Sequence, residues 1–139
     1  MMGYRDTVLI SAPNAAGEQF AMLLRARNIP FAAIANNRAE CSRLSAIGAA
    51  ELIRVDTAER KTWIVPPFGI GKAFLFERSL NLACRYLQIC RSWTTQPIYL
   101  ITESSNPRHI YKALGADYVI HSRSLDLSFL ITDDMKANG

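Results

Sequence analysis

The stretch Val8-Leu9-Ile10-Ser11-Ala12-Pro13-Asn14-Ala15-Ala16-Gly17 reads as an apolar strand, a turn and the start of a helix, with Ala12, Asn14 and Gly17 on the three positions of a G-x-G-x-x-G turn. In such a turn the first glycine permits a tight bend, the second lets the backbone approach a pyrophosphate, and the third lets helix and strand pack closely. Only the third is kept, as Gly17. Ala12 adds one methyl group, whereas Asn14 tolerates the bend but puts a side chain where a phosphate would lie. The N–H groups that open the following helix still carry partial positive charge, so the Ser11–Gly17 turn retains the chemistry of an anion site.

Other residues of the right type follow. A carboxylate at the end of the second strand normally accepts ribose hydroxyls, but this strand ends Ala35-Asn36-Asn37-Arg38. Asn36 can hydrogen-bond a ribose and Arg38 can meet a 2′-phosphate; the plainer alternative is a polar turn that opens a helix. The third strand ends in an acid, Asp56. "FGIGKA", residues 68–73, holds only the Gly-Lys fragment of a phosphate loop and reads as a flexible loop after a fourth strand. Placed at the carboxyl end of that strand, Gly69, Gly71 and Lys72 border any ligand in the sheet crevice. His121 reads as a surface residue, and Trp63 and Trp93 as packing residues. No tyrosine has a lysine four residues later, so the Tyr-x-x-x-Lys proton donor of short-chain reductases is missing.

These residues need a scaffold. A chain of 139 residues, 50% hydrophobic and 20% charged, makes one domain (1–139) with its own core. The formal net charge is +4, but the basic residues are scattered from Arg5 to Lys136, which argues against a nucleic-acid partner. Cys41, Cys84 and Cys90 form no C-x-x-C pair and stand far in sequence from His109 and His121, which predicts reduced thiols and no metal site. With no secretory pattern at the start and no apolar run near the roughly 18 residues of a bilayer span, the expectation is a cytoplasmic chain without direct membrane insertion.

Short β-branched and aliphatic runs, "TVLIS", "FAAIA", "ELIRV", "TWIVP", "IYLIT" and "DYVIH", alternate mostly with helical patterns, as in parallel strands joined by crossovers. Two helices lie between the first three strands, the second stopped by Gly48. "DTAERK" is too short for a regular crossover helix. A long helix is expected over 72–91, its apolar residues Phe74, Leu75, Leu80, Leu82 and Leu87 covering more than one face. Asn106 and Pro107 cap a further short helix. The tail, 123–139, holds "LDLSFLI" and reads as a helix, an edge strand or a dimer arm, beyond a core of about 7–122.

In this order, "LSAIGAAELIRVDTAE" and "NPRHIYKALGADYVIHS" resemble the nucleotide-binding domain of the regulator of K⁺ conductance family, also called the TrkA N-terminal domain, over residues 7–122. The resemblance implies a Rossmann-like fold, a homodimer, NAD(H) or an adenine nucleotide at the glycine turn, and a potassium channel or transporter subunit as partner. It places the ligand-contacting glycines at Ala12, Asn14 and Gly17, the second-strand acid at Ala35 and the third-strand acid at Asp56. The same segments are similar to atypical short-chain reductases and zinc-type quinone reductases. The fold expected is an α/β, Rossmann-like three-layer sandwich with a mainly parallel sheet of six strands in the order 3-2-1-4-5-6. The function expected is a regulatory, non-catalytic, ligand-sensing domain whose ligand lies between the Ser11–Gly17 turn and the Gly69–Lys72 loop. An NAD(P)-dependent oxidoreductase and a ligand-free interaction scaffold are the alternatives.

Overall fold

A computed structural model describes residues 6–105 and 108–135. β1 (Thr7–Ser11), β2 (Phe31–Ala35), β3 (Glu51–Arg54), β4 (Ile70–Phe76), β5 (Ile98–Thr102) and β6 (Tyr118–His121) form one parallel sheet in the order β3-β2-β1-β4-β5-β6. The expected topology is therefore present. α1 (Ala15–Ala26) and α2 (Arg38–Ile47) cover one face, where Phe20, Leu24 and Leu44 bury against Ile10, Ala33 and Phe74. α3 (Leu80–Trp93) and α4 (Arg108–Ala113) cover the other, where Tyr86, Leu87 and Tyr111 bury against Leu9, Ile34 and Leu100. Chain direction changes sides between β1 and β4, so the crevice for a ligand opens at the carboxyl ends of these strands.

The fourth strand is not "TWIVP". Residues 63–69 connect a single 3₁₀ turn (Arg60–Thr62) to β4, which is formed by "IGKAFLF". Ile64 and Val65 are exposed, and Pro66 and Pro67 supply no N–H for a ladder. Phe74 and Leu75, expected on a helix, point to opposite faces of β4, and the helix itself begins eight residues after Lys72, at Leu80. The apolar excess attributed to one long helix is thus divided between a strand and a helix. Gly71 packs tightly, since a Cβ there would lie 3.1 Å from the Asp6 Cβ and 3.3 Å from its carbonyl oxygen, whereas one on Gly69 would press only on the Asp6 carboxylate, a side-chain end that can swing aside. The β1–β4 register shifts here, between Thr7 and Leu9.

The tail lies on the α1/α2 side of the sheet. Two 3₁₀ turns, Ser128–Leu130 and Asp133–Met135, carry Leu127, Leu130 and Met135 into the core beside Val8, Phe74 and Ile101. Lys72, on β4, reaches the tail with Nζ 2.9 Å from Thr132 Oγ1 and 3.2 Å from Asp134 Oδ2. As described through Met135, the tail is a strap on its own chain rather than an extended arm, although Leu125 and Phe129 stay exposed. An aromatic file, Phe20–Phe74–Tyr99–Tyr118, runs across the same face, with ring centroids 4.8–4.9 Å apart. The expected cap at Asn106 and Pro107 lies outside the described residues.

Candidate functional site

The turn after β1 brings Ala12, Asn14 and Gly17 together at the carboxyl edge. Gly17 does what the third glycine of such a turn does: a Cβ there would lie 2.7 Å from Ala12 Cα and 2.9 Å from Ala12 Cβ, so only glycine lets α1 lie this close to β1. Asn14 caps α1, its Oδ1 accepting from the Gly17 N–H at 2.8 Å. Its Nδ2 donates to the Glu77 carbonyl at 2.9 Å, 63 residues along the chain. The side chain at the second-glycine position thus takes up one helix N–H and ties the β1–α1 turn to the segment that follows β4. Ser11 points away from the turn; its hydroxyl is buried and has no hydrogen-bond partner among the described residues.

Beyond that tie stands an acid. The Glu77 carboxylate accepts from Thr102 Oγ1 at 2.6 Å and Ser104 Oγ at 2.8 Å, and from the Tyr111 hydroxyl. Three hydroxyls thus converge on this one side chain beside the turn.

On the α3 side of the same edge, a cleft of 670 Å³ opens between α3 and the start of the β3–β4 connection, lined by Asn36, Thr57, Arg78, Ser79, Arg85 and Gln88 among others. A recess of 420 Å³ adjoins it, sharing Asn36 and lined also by Arg54, Val55, Asp56 and Thr62. Asp56 organises this corner. Its Oδ1 accepts from the Ala58 N–H, and its carbonyl accepts from Trp63 Nε1 at 2.9 Å.

Under the cleft edge the polar groups are buried. Glu40, in the first turn of α2, is 1% exposed, and Oε1 has no partner among the described residues. Burial pushes its carboxyl above the usual range, while Arg43 and Arg78 pull it back. Burial raises the Tyr86 hydroxyl as well, with Glu40, Cys90 and Cys41 adding to the shift. Cys90 is pushed up to about 12 by burial, and all three cysteines are free thiols.

The expected site residues therefore divide. Ser11, Ala12, Asn14, Gly17, Asn36, Arg38 and Asp56 share the carboxyl edge, Arg38 as the exposed first residue of α2. Gly69, Gly71 and Lys72 do not: Thr7 N–H donates to the Gly69 carbonyl, whereas Ser11 pairs with Leu75. Gly71 stands four residues before Leu75, about 13 Å down the sheet at 3.3 Å per residue. A ligand held between the two segments is excluded. Arg78 and Ser79 fall inside the helix expected over 72–91 but lie between β4 and α3 at the carboxyl edge, whereas Arg85 is helical as expected and nothing in its spacing marks it as lining a cleft. The signal was present in "FLFERSLN", a β-rich run followed by a Ser cap.

No protein-family model matches the chain, and no curated protein sequence matches it. Solved structures do. The NAD(P)-binding domain of an exopolyphosphatase-related protein from Archaeoglobus fulgidus superposes with a TM-score of 0.68 at 15% identity, over 84% of this chain and 88% of that one. The TrkA-N domain of the inner membrane protein ybaL from Escherichia coli does so with a TM-score of 0.66 at 14% identity, over 87% and 90%. The GsuK channel bound to NAD gives a TM-score of 0.66 at 14% identity over 84% of this chain, which spans only 21% of that one. The chain has the Rossmann-like fold of these TrkA-N and NAD(P)-binding domains.

Proposed function

We propose that this chain is a regulatory, ligand-sensing Rossmann-like domain that takes a mononucleotide at the carboxyl edge of its sheet and performs no catalysis. The observation that carries the reading is Asn14. Its amide fills the place of the second glycine and bridges to Glu77, so the path of a pyrophosphate past α1 is taken up, while the cleft beside Asn36 and Arg78 stays open. The likeness in fold to a channel bound to NAD and to two nucleotide-binding or TrkA-N domains supports a nucleotide as the ligand class. The filled turn favours an adenine mononucleotide over NAD(H).

The partner proposed is a membrane transporter or channel subunit at the cytoplasmic side, in keeping with the channel and inner membrane protein among the similar structures. No helix among the described residues is long and apolar enough to cross a membrane. Self-association is proposed through the tail side of β6, where Tyr118, Leu125 and Phe129 are exposed.

Thermal shift with AMP, ADP, ATP, NAD and NADH tests the ligand. Mononucleotides should stabilise the protein and dinucleotides should not. Stabilisation by NAD alone would refute the mononucleotide, and no shift at millimolar concentration would return the domain to a scaffold. Sustained turnover of NADH with carbonyl or quinone acceptors, following the protein through purification, would overturn the non-catalytic reading. Sedimentation of the full chain should give a concentration-dependent dimer.

A further inference from the structure

We infer that Glu40 is a proton-operated gate on the crevice: protonated, it stays buried and seats the first turn of α2, and ionised, it draws that turn outward and loosens the wall that Asn36 forms. Its regulatory meaning rests on the ligand-sensing reading above, whereas the gate itself needs no ligand. Glu40 is 1% exposed, yet its Oε1 has no hydrogen-bond partner among the described residues. A carboxyl group in such a place is costly as an anion and tolerable as a neutral acid.

The charges around it compensate only in part. Arg43, three residues on along α2, favours the anion, but its Nε lies 3.1 Å from Glu18 Oε2 on α1, and Glu18 itself repels a charged Glu40. Arg78, between β4 and α3, also favours the anion, from an exposed position and without a direct ion pair to it among the described residues. From α3, Tyr86 lies within electrostatic reach of the same acid; burial keeps this phenol neutral, and its hydroxyl makes no hydrogen bond among the described residues. Burial outweighs both arginines and holds Glu40 above the ordinary glutamate value of 4.5.

A short path leads from this carboxyl to the cleft. The Glu40 N–H donates to Oδ1 of Asn37, the cap of α2, at 2.8 Å, and Asn37 Nδ2 donates to Asn36 Oδ1 at 3.1 Å. Asn36 lines both the 670 Å³ cleft and the recess beside it. An ionised Glu40 gains water, and a closer approach to Arg78, by swinging outward. Because its own N–H is bound to the cap, the turn moves with it. A carboxyl whose folded value lies above its unfolded one stabilises the fold at low pH, and the contribution is lost as pH rises through the folded value. The first turn of α2 is therefore firmest in mild acid. The tail carboxylates Asp126 and Asp134, whose values are lowered, act at lower pH and in the opposite sense.

Carbon NMR of the full chain, titrated from pH 8 to pH 4 without ligand, tests the gate. The Glu40 carboxyl should titrate with a midpoint above 4.5, and the backbone amides of Asn36, Asn37 and Arg38 should follow that same midpoint. Arg78→Ala should raise it further, since a charge that favours the anion is removed. Glu40→Gln should make the three amides independent of pH over this range. In urea it should unfold at a higher concentration than the natural chain at pH 8, the difference closing toward pH 5. A Glu40 midpoint at or below 4.5 in the natural chain overturns the gate, whether or not the glutamine variant folds. Amides of 36–38 that ignore a raised Glu40 midpoint overturn it as well. Failure of every nucleotide to stabilise the protein at any pH would strike the ligand-sensing reading alone, because none of these measurements uses a ligand.

Discussion

Asn14 and Glu77 are joined across the carboxyl edge of the sheet, the amide nitrogen of one donating to the carbonyl of the other at 2.9 Å. Through that bond the turn after β1 and the segment after β4 are held as one unit. Replacing Asn14 with glycine should reopen the path of a pyrophosphate. Glycine at a helix cap costs only a few tenths of a kcal/mol, and loss of the bridging hydrogen bond about 0.5–1.5 more. Urea denaturation should therefore show a modest loss of stability, while thermal shift with NAD should change from nothing to a measurable stabilisation. An unchanged response to NAD would mean that Glu77, and not Asn14, excludes the dinucleotide.

Gly17→Ala should be worse than its size suggests. The added methyl meets Ala12 backbone at 2.7 Å, and backbone cannot swing aside as a side-chain end can. Overpacking of this kind costs roughly 1–3 kcal/mol. The midpoint of urea unfolding should fall accordingly, with the slope unchanged; a neutral effect would show that α1 can move off β1.

The tail should loosen in acid. Asp134 is held below the ordinary aspartate value of 3.8, first by the Thr132 hydroxyl and then by Lys72, and Asp126 is lowered mainly by the Ser128 N–H. A carboxylate with a depressed pKa in the folded state stabilises that state above its unfolded value, and the contribution is lost as pH falls through the folded one. Protection of the amides over 127–135, relative to their intrinsic exchange rates at each pH, should thus be high at pH 7 and fall below about pH 4 before the sheet unfolds. Asp134→Asn should weaken the response. Equal protection of the tail at pH 7 and pH 3 would remove these carboxylates from its retention.

Leu127→Ala separates a strap from an arm. Leu127 is 1% exposed, buried within its own chain, and truncating such a leucine costs about 2–5 kcal/mol. Thermal unfolding of this variant should be destabilised equally at low and high protein concentration. A loss that shrinks as concentration rises would instead place this residue in a contact between two copies.

The strand order could be read from the sequence because continuous β-branched runs with short helical connections allow few arrangements. The error at β4 has a physical source. Trp63-Ile64-Val65 has the composition of a strand but precedes two prolines, whereas Ile70–Phe76 carries Gly71 and Lys72, which suppress a strand reading although Gly71 faces Asp6 and Lys72 is drawn to the tail. Phe74 and Leu75, being adjacent, fit either period. That one displacement puts Gly69, Gly71 and Lys72 at the wrong end of the sheet and hides the place of Arg78 and Ser79 between β4 and α3. Glu40 was beyond reach for another reason: an acid in a first helical turn looks like a solvated cap, and only packing of α2 buries it.

The two tryptophans of this chain are in contact, Trp93 Nε1 lying 3.4 Å from the Trp63 carbonyl, and Trp63 in turn donates to the Asp56 carbonyl. Both belong to the α3 half of the protein, and neither touches the tail. Intrinsic tryptophan emission is therefore a built-in optical gauge of the β3–β4 connection, sensitive to events at Asp56 and blind to release of residues 127–135. Tyr99 and Tyr118, stacked 4.9 Å apart, lie on the opposite face of the sheet from both indoles.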